Sequence, residues 1–142
     1  MKLLRYETST SGTSGRQEKP GLLDDAGVLR DLSGIVDDIA GETLLPENIE
    51  RLRNTDPASL TKVEGTPRLG PCVGKVGKFI CIGLNYSDHA EEAGMTVPPE
   101  PIIFAKATSA ICGPDDEVII PRNSVKTDWE VELGVVIGKP AK

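Results

Sequence analysis

Two short apolar runs constrain this chain more than any other feature: Phe79-Ile80-Cys81-Ile82-Gly83-Leu84 and Val131-Glu132-Leu133-Gly134-Val135-Val136-Ile137. Each has the length of a strand, and neither approaches the 18 or so apolar residues of a membrane-spanning helix. A run this apolar is stable only when hydrogen-bonded neighbours and packed faces cover it. The second run, however, is followed only by Gly138, Lys139, Pro140, Ala141 and Lys142. The expectation is a β-rich fold that this chain begins and does not complete.

Charge narrows the partners. The chain carries 22 acidic and 16 basic residues, a net charge of -6, with no Lys/Arg block of the kind that neutralises phosphates, so nucleic acid is excluded as a partner. At 142 residues it is long enough to bury roughly 68–70% of its unfolded surface without disulfide or metal staples. The first residues, Met1-Lys2-Leu3-Leu4-Arg5-Tyr6, lack the apolar core and cleavage site of a secretion signal, which points to a cytoplasmic protein away from membranes. Cys72, Cys81 and Cys112 are odd in number and lack CxxC spacing; they read as reduced, buried, small apolar residues.

Along the chain, residues 2–6 form a strand candidate, and residues 21–25 lead through a turn at Ala26-Gly27 into a hairpin partner at 28–32. A Ser/Thr/Gly tract over residues 7–16 reads as a flexible loop. Residues 34–42 and 46–53 read as helical, the second opening on Pro46. Gly/Pro punctuation over 65–74 separates a small cap, residues 1–65, from a second domain, residues 66–142. There, residues 78–84 read as a buried strand, Asn85 as the cap of a short helix that Gly94 ends, and residues 102–104, 117–120 and 131–138 as further strands. Residues 70–75 have the wrong glycine spacing for a phosphate loop, and Asn85-Tyr86-Ser87 is discounted as a glycosylation site without a secretion signal.

Three constellations carry possible chemistry. On a strand, Asp128, Glu130 and Glu132 share one face, an oxygen-rich arrangement that suits a hard cation such as Mg²⁺; it equally describes a solvated acidic face. His89 and Glu92 lie i, i+3 on one helix face, where a carboxylate can orient an imidazole as a general base; they are equally a surface histidine with an incidental neighbour. Lys106 leaves an apolar strand beside Thr108 and Ser109, placed to pair with a substrate carboxylate or phosphate or to reach solvent along its stem.

In this order the motifs resemble the fumarylacetoacetate hydrolase family: residues 79–92, then Pro101-Ile102-Ile103-Phe104-Ala105-Lys106-Ala107-Thr108-Ser109, then Asp128-Trp129-Glu130-Val131-Glu132-Leu133-Gly134-Val135-Val136-Ile137-Gly138. The resemblance spans about residues 66–142, with residues 1–65 similar to the variable cap of bacterial members. It implies a mixed α/β, β-rich roll and a homodimer. Glu130 and Glu132 match the first two acidic ligands of a divalent cation, Mg²⁺ or Mn²⁺; His89 and Glu92 match a water-activating dyad, and Lys106 a lysine near the substrate pocket. The implied activity is hydrolytic or lyase cleavage of C–C bonds in small β-diketo or oxo acids, with decarboxylation or hydration/isomerisation as related reactions. A non-catalytic binding or assembly module on the same fold is the alternative. The third acidic ligand and a further lysine of the family lie downstream of this motif, so the resemblance also implies an incomplete chain, weak or inactive alone.

Overall fold

The computed structural model describes residues 1–7 and 17–141. Apart from Glu7, the loop expected over 7–16 lies outside the described residues. The chain forms two compact units, Met1–Lys75 with Cys112–Lys142, and Val76–Ile111.

The first unit is built on an antiparallel sheet in the order β1-β2-β3, comprising β1 (Lys2–Glu7), β2 (Glu18–Leu23) and β3 (Leu29–Asp31). The expected hairpin is present. Its turn is closed by Asp24, whose carboxylate accepts the N–H groups of Ala26 and Val28 at 3.0 and 2.8 Å, while Gly27 takes φ 75°, a left-handed conformation that a glycine adopts without steric cost. Pro20 lies in the central strand, where its missing donor is normally excluded. It is tolerated because β3 pairs only with residues 21–23, and the Pro20 carbonyl instead accepts Leu32 N–H at 3.0 Å.

Side chains alternate across the sheet, so Leu3, Arg5 and Glu7 share a face with Leu22, Pro20 and Glu18. On that side Leu22 joins Leu32, Val36, Ile39 and Leu52 in the buried core, with Leu3, Ile35, Leu44 and Leu60 packed against it. On the other side Leu4 and Tyr6 are buried. A Cβ on Gly21 would lie only 2.9–3.1 Å from Leu29, Tyr6 and Leu4, so its hydrogen lets these three close over the sheet.

Both edges of this sheet are covered. Residues 68–70 pair with β1 through Glu7 N–H to Arg68 O (2.9 Å) and Gly70 N–H to Arg5 O (2.8 Å). Residues 61–63 do the same for β3 through Asp31 N–H to Thr61 O and Val63 N–H to Leu29 O, both 2.9 Å. The edges are therefore satisfied within the unit rather than presented to another chain.

Helix α1 (Pro46–Arg53) forms where expected, with Pro46 in its first turn and Leu52 buried against the core. The helix expected over 34–42 does not form. The chain there turns, and only Gly41–Leu44 makes a short 3-10 segment. Tertiary bonds outweigh local propensity: Asp38 accepts from Arg5 and from Ile39 N–H, Ile39 O accepts from Gly74 N–H, and Gly41 sits at φ 52°.

The second unit holds β4 (Phe79–Gly83) antiparallel to β5 (Ile102–Lys106), with α2 (Ser87–Glu92) between them. The strand expected at 78–84 is present but not buried: Ile80 is 54% exposed and Ile103 69%. Asn85 does not cap α2; Tyr86 occupies that position without a side-chain cap bond. Gly94 does end the helix, at φ 65°, with Gly94 N–H donating to Glu91 O and Met95 N–H to Ala90 O, the paired bonds of a Schellman turn. Two further corrections fall after Lys106, and one concerns the cysteines. Residues 117–120 and 131–138 form no strand, and Ile119 and Leu133 are 87% and 81% exposed. Cys72 and Cys112 are exposed rather than buried, and Cys81 is half-buried; all three are free thiols.

Candidate active site

Glycine and hydrophobicity place the first group of site residues. The strand-forming run 79–83 ends at Leu84, whose φ of 49° turns the chain out of the ladder, and α2 follows directly. His89 and Glu92 are both on α2 and both exposed, while Ala90 is the residue that the helix buries. Their i, i+3 spacing is realised on a helix, as the sequence implies, yet the two side chains make no hydrogen bond with each other among the described residues. The last turn is held by Ala93 N–H donating to His89 O at 3.0 Å.

Lys106 is the final residue of β5, opposite Phe79 in the register. Alternation places it on the same hairpin face as Phe79, Cys81, Phe104 and Ile102, an apolar surface with a cation at its end. The backbone then closes into the 3-10 turn Thr108–Ala110, so the hydroxyl-bearing residues that the sequence set beside Lys106 lie in a turn rather than in the strand. His89, Glu92 and Lys106 all belong to the unit Val76–Ile111.

Glu130 and Glu132 belong to the other unit, in a segment that is exposed and has no regular secondary structure. The shared carboxylate face expected of Asp128, Glu130 and Glu132 requires a strand and is not formed; Asp128 instead accepts its neighbour's Trp129 N–H at 2.8 Å. Carboxylate oxygens suit Mg²⁺ or Mn²⁺ in kind. In number they fall short, since no group of three or more His, Cys, Asp or Glu side chains among the described residues could hold an ion.

Sequence spacing did not single out a polar assembly that the described residues form around Arg68. Arg68 donates through Nε to Asp116 Oδ1 at 2.6 Å and through Nη2 to the other carboxylate oxygen, forming a two-pronged pair. Its Nη1 donates to Glu18 at 3.0 Å and lies 3.6 Å from Glu7. Glu18 also pairs with Arg5, whose Nε donates to Asp38 at 2.7 Å. The hydrogen bonds that Arg68 donates to Asp116, then the one it donates to Glu18, raise its pKa further above its ordinary value, fixing its charge. Partners 48 and 50 residues apart in sequence leave no periodic signal.

No helix of the described residues is long and apolar enough to cross a membrane. Residues 78–142 match the family model described as the C-terminal domain of fumarylacetoacetate hydrolase. Three curated relatives carry the name "Putative hydrolase", from Burkholderia orbicola (strain MC0-3), Burkholderia cenocepacia (strain HI2424) and Burkholderia ambifaria (strain AMMD). Each is 63% identical over all 142 residues, which amount to 48% of the relative's length. The chain thus spans about half the length of the curated relatives it matches. The segment that matches this family model, residues 78–142, contains every candidate site residue.

Proposed function

We propose that this chain contributes part of the active site of a divalent-metal-dependent hydrolase or lyase that cleaves C–C bonds in small β-diketo or oxo acids. The observation that carries this reading is that one family match, residues 78–142, encloses His89, Glu92, Lys106, Glu130 and Glu132 together. The names of the relatives support hydrolysis as the general reaction type. Glu130 and Glu132 are the residues that would hold Mg²⁺ or Mn²⁺, in a donor set that more of the protein completes. Bound there, the ion supplies carbonyl polarisation and charge stabilisation at the departing carbon.

The chain's own side chains have distinct tasks. His89 accepts the proton of an attacking water at its imidazole, and Glu92, one turn on along α2, holds the resulting positive charge once substrate brings the two together. Lys106, at the end of an apolar hairpin face, pairs as a point charge with a substrate carboxylate. We further propose a cytoplasmic homodimer as the working assembly.

The test is made in a chain of the relatives' full length. Glu130→Gln and Glu132→Gln each abolish Mg²⁺ binding measured by calorimetry; retained affinity in either removes that residue from the metal site. His89→Ala slows hydrolysis of an acylpyruvate by roughly 10²-fold or more while leaving Mg²⁺ affinity intact. Equal loss of turnover and metal binding recasts His89 as structural.

A further inference from the structure

The assembly around Arg68 joins two parts of the sequence that the family match separates. Arg5, Glu18, Asp38 and Arg68 precede residue 78, whereas Asp116 lies within the matched segment; all are in one compact unit. The side chains are substantially screened from water: Arg5 is 15% exposed, Glu18 12%, Asp38 18%, Arg68 22% and Asp116 16%. Asp116 also closes its own turn, accepting Gly113 N–H at 2.8 Å while its N–H donates to Gly113 O at 3.2 Å.

Close approach is possible only because glycines stand beside the charges. A Cβ on Gly70 would collide with the Glu18 carboxylate, one on Gly74 would lie 2.7 Å from Asp38, and one on Gly113 would collide with the Leu69 carbonyl oxygen. Three glycines therefore allow the loop 68–74 and the turn 113–116 to lie directly against the charged row on β1 and β2.

We propose that Arg68 is a latch by which the N-terminal sheet orders the turn 113–116 of the family segment. The guanidinium is rooted in the sheet by Glu18, Glu7 and the backbone pairing of residues 68–70 with β1, and its free prong clasps Asp116. A planar fork is needed, since only a guanidinium reaches both Asp116 oxygens and Glu18 at once; a lysine ammonium keeps the charge and loses this geometry. The inference concerns order within the unit and stands independently of the proposed catalysis.

Hydrogen–deuterium exchange of the whole 142-residue chain tests it, with Arg68→Lys, Arg68→Gln, Asp116→Asn and the double variant Arg68→Gln/Asp116→Asn. The latch requires exchange over residues 113–117 to accelerate by roughly tenfold in each single variant, with the double variant no faster than either single one and β1–β3 still protected. Wild-type exchange over 113–117 in Arg68→Lys and Asp116→Asn overturns it, as does additive acceleration in the double variant. Should Arg68→Gln unfold the sheet, Asp116→Asn decides alone, because Arg68 retains Glu18 and Glu7 there; unchanged exchange in that variant rejects the latch.

Discussion

The sheet β1–β3 and the hairpin β4–β5 end in opposite states, although the strands of the hairpin are the more apolar. The first has both edges paired, a core in which Leu32 is fully buried, and its charges assembled in a row along one face. The second is a two-stranded ladder whose apolar side chains on both faces remain exposed, Ile80 and Ile103 on one and Ile102 and Phe104 on the other. A two-stranded ladder alone is marginal in water. The contrast teaches that an apolar strand sequence specifies a ladder locally, while burial is conferred only by whatever packs on its faces. The exposed residues of 117–137 repeat the lesson: Ile119 and Val131 are 87% and 76% exposed and lie in no strand.

The sharpest way to break the contrast is a pair of truncations. Leu32→Ala, in the core, should cost about 3 kcal/mol of stability in urea unfolding. Ile103→Ala, at an exposed position on β5, should change it by no more than about 0.5 kcal/mol. Equal losses would mean that the two regions do not differ as described.

Nearly as large is an alkaline effect confined to the sheet. Burial first, then the nearby Asp31 carboxylate, pushes the Tyr6 hydroxyl up to about 12. Its folded value is raised, so the stability it contributes is complete below about pH 10 and is lost as pH rises through about 12. The loss is of order 3 kcal/mol. Urea midpoints measured from pH 9 to 12 should fall more steeply in the wild type than in Tyr6→Phe.

Close packing gives a smaller effect. Gly113→Ala sets a methyl against the Leu69 carbonyl oxygen and should destabilise the unit by about 1–3 kcal/mol, whereas Gly34→Ala, with open space around it, should be nearly neutral. Thermal melts of the two variants compare them directly.

The smallest effect is at acid pH. The Val28 N–H bond, opposed by burial and aided by Arg30, holds Asp24 below the usual carboxylate range. A lowered folded value stabilises above the unfolded pKa near 4 and is lost as pH falls through the folded one. Asp24→Asn should flatten that acid limb slightly; an unchanged limb would show that the turn does not draw on the Asp24 charge.

Legibility followed the range of the interactions. Helix α1, the Asp24 turn and the Gly94 helix stop could be read because a proline, an aspartate and a glycine act within a few residues of themselves. The i, i+3 relation of His89 and Glu92 was likewise readable, since a helix creates it. Residues 34–42 misled because bonds to Arg5 and Gly74, distant in sequence, compete with helix formation. The common face of Asp128, Glu130 and Glu132 could not follow from alternation alone, which becomes geometry only when a ladder holds the strand.

The sequence by itself determined the strand-sized runs, the hairpin turn, the acidic balance and the ordered motifs by which residues 78–142 match the fumarylacetoacetate hydrolase family model. Only the tertiary structure decided which apolar residues are buried, that both edges of β1–β3 are covered, and that Arg68 meets Asp116. The reason is physical: turns and helix ends are fixed by bonds between near neighbours, whereas burial and ion pairing depend on surfaces that the chain brings together only on folding.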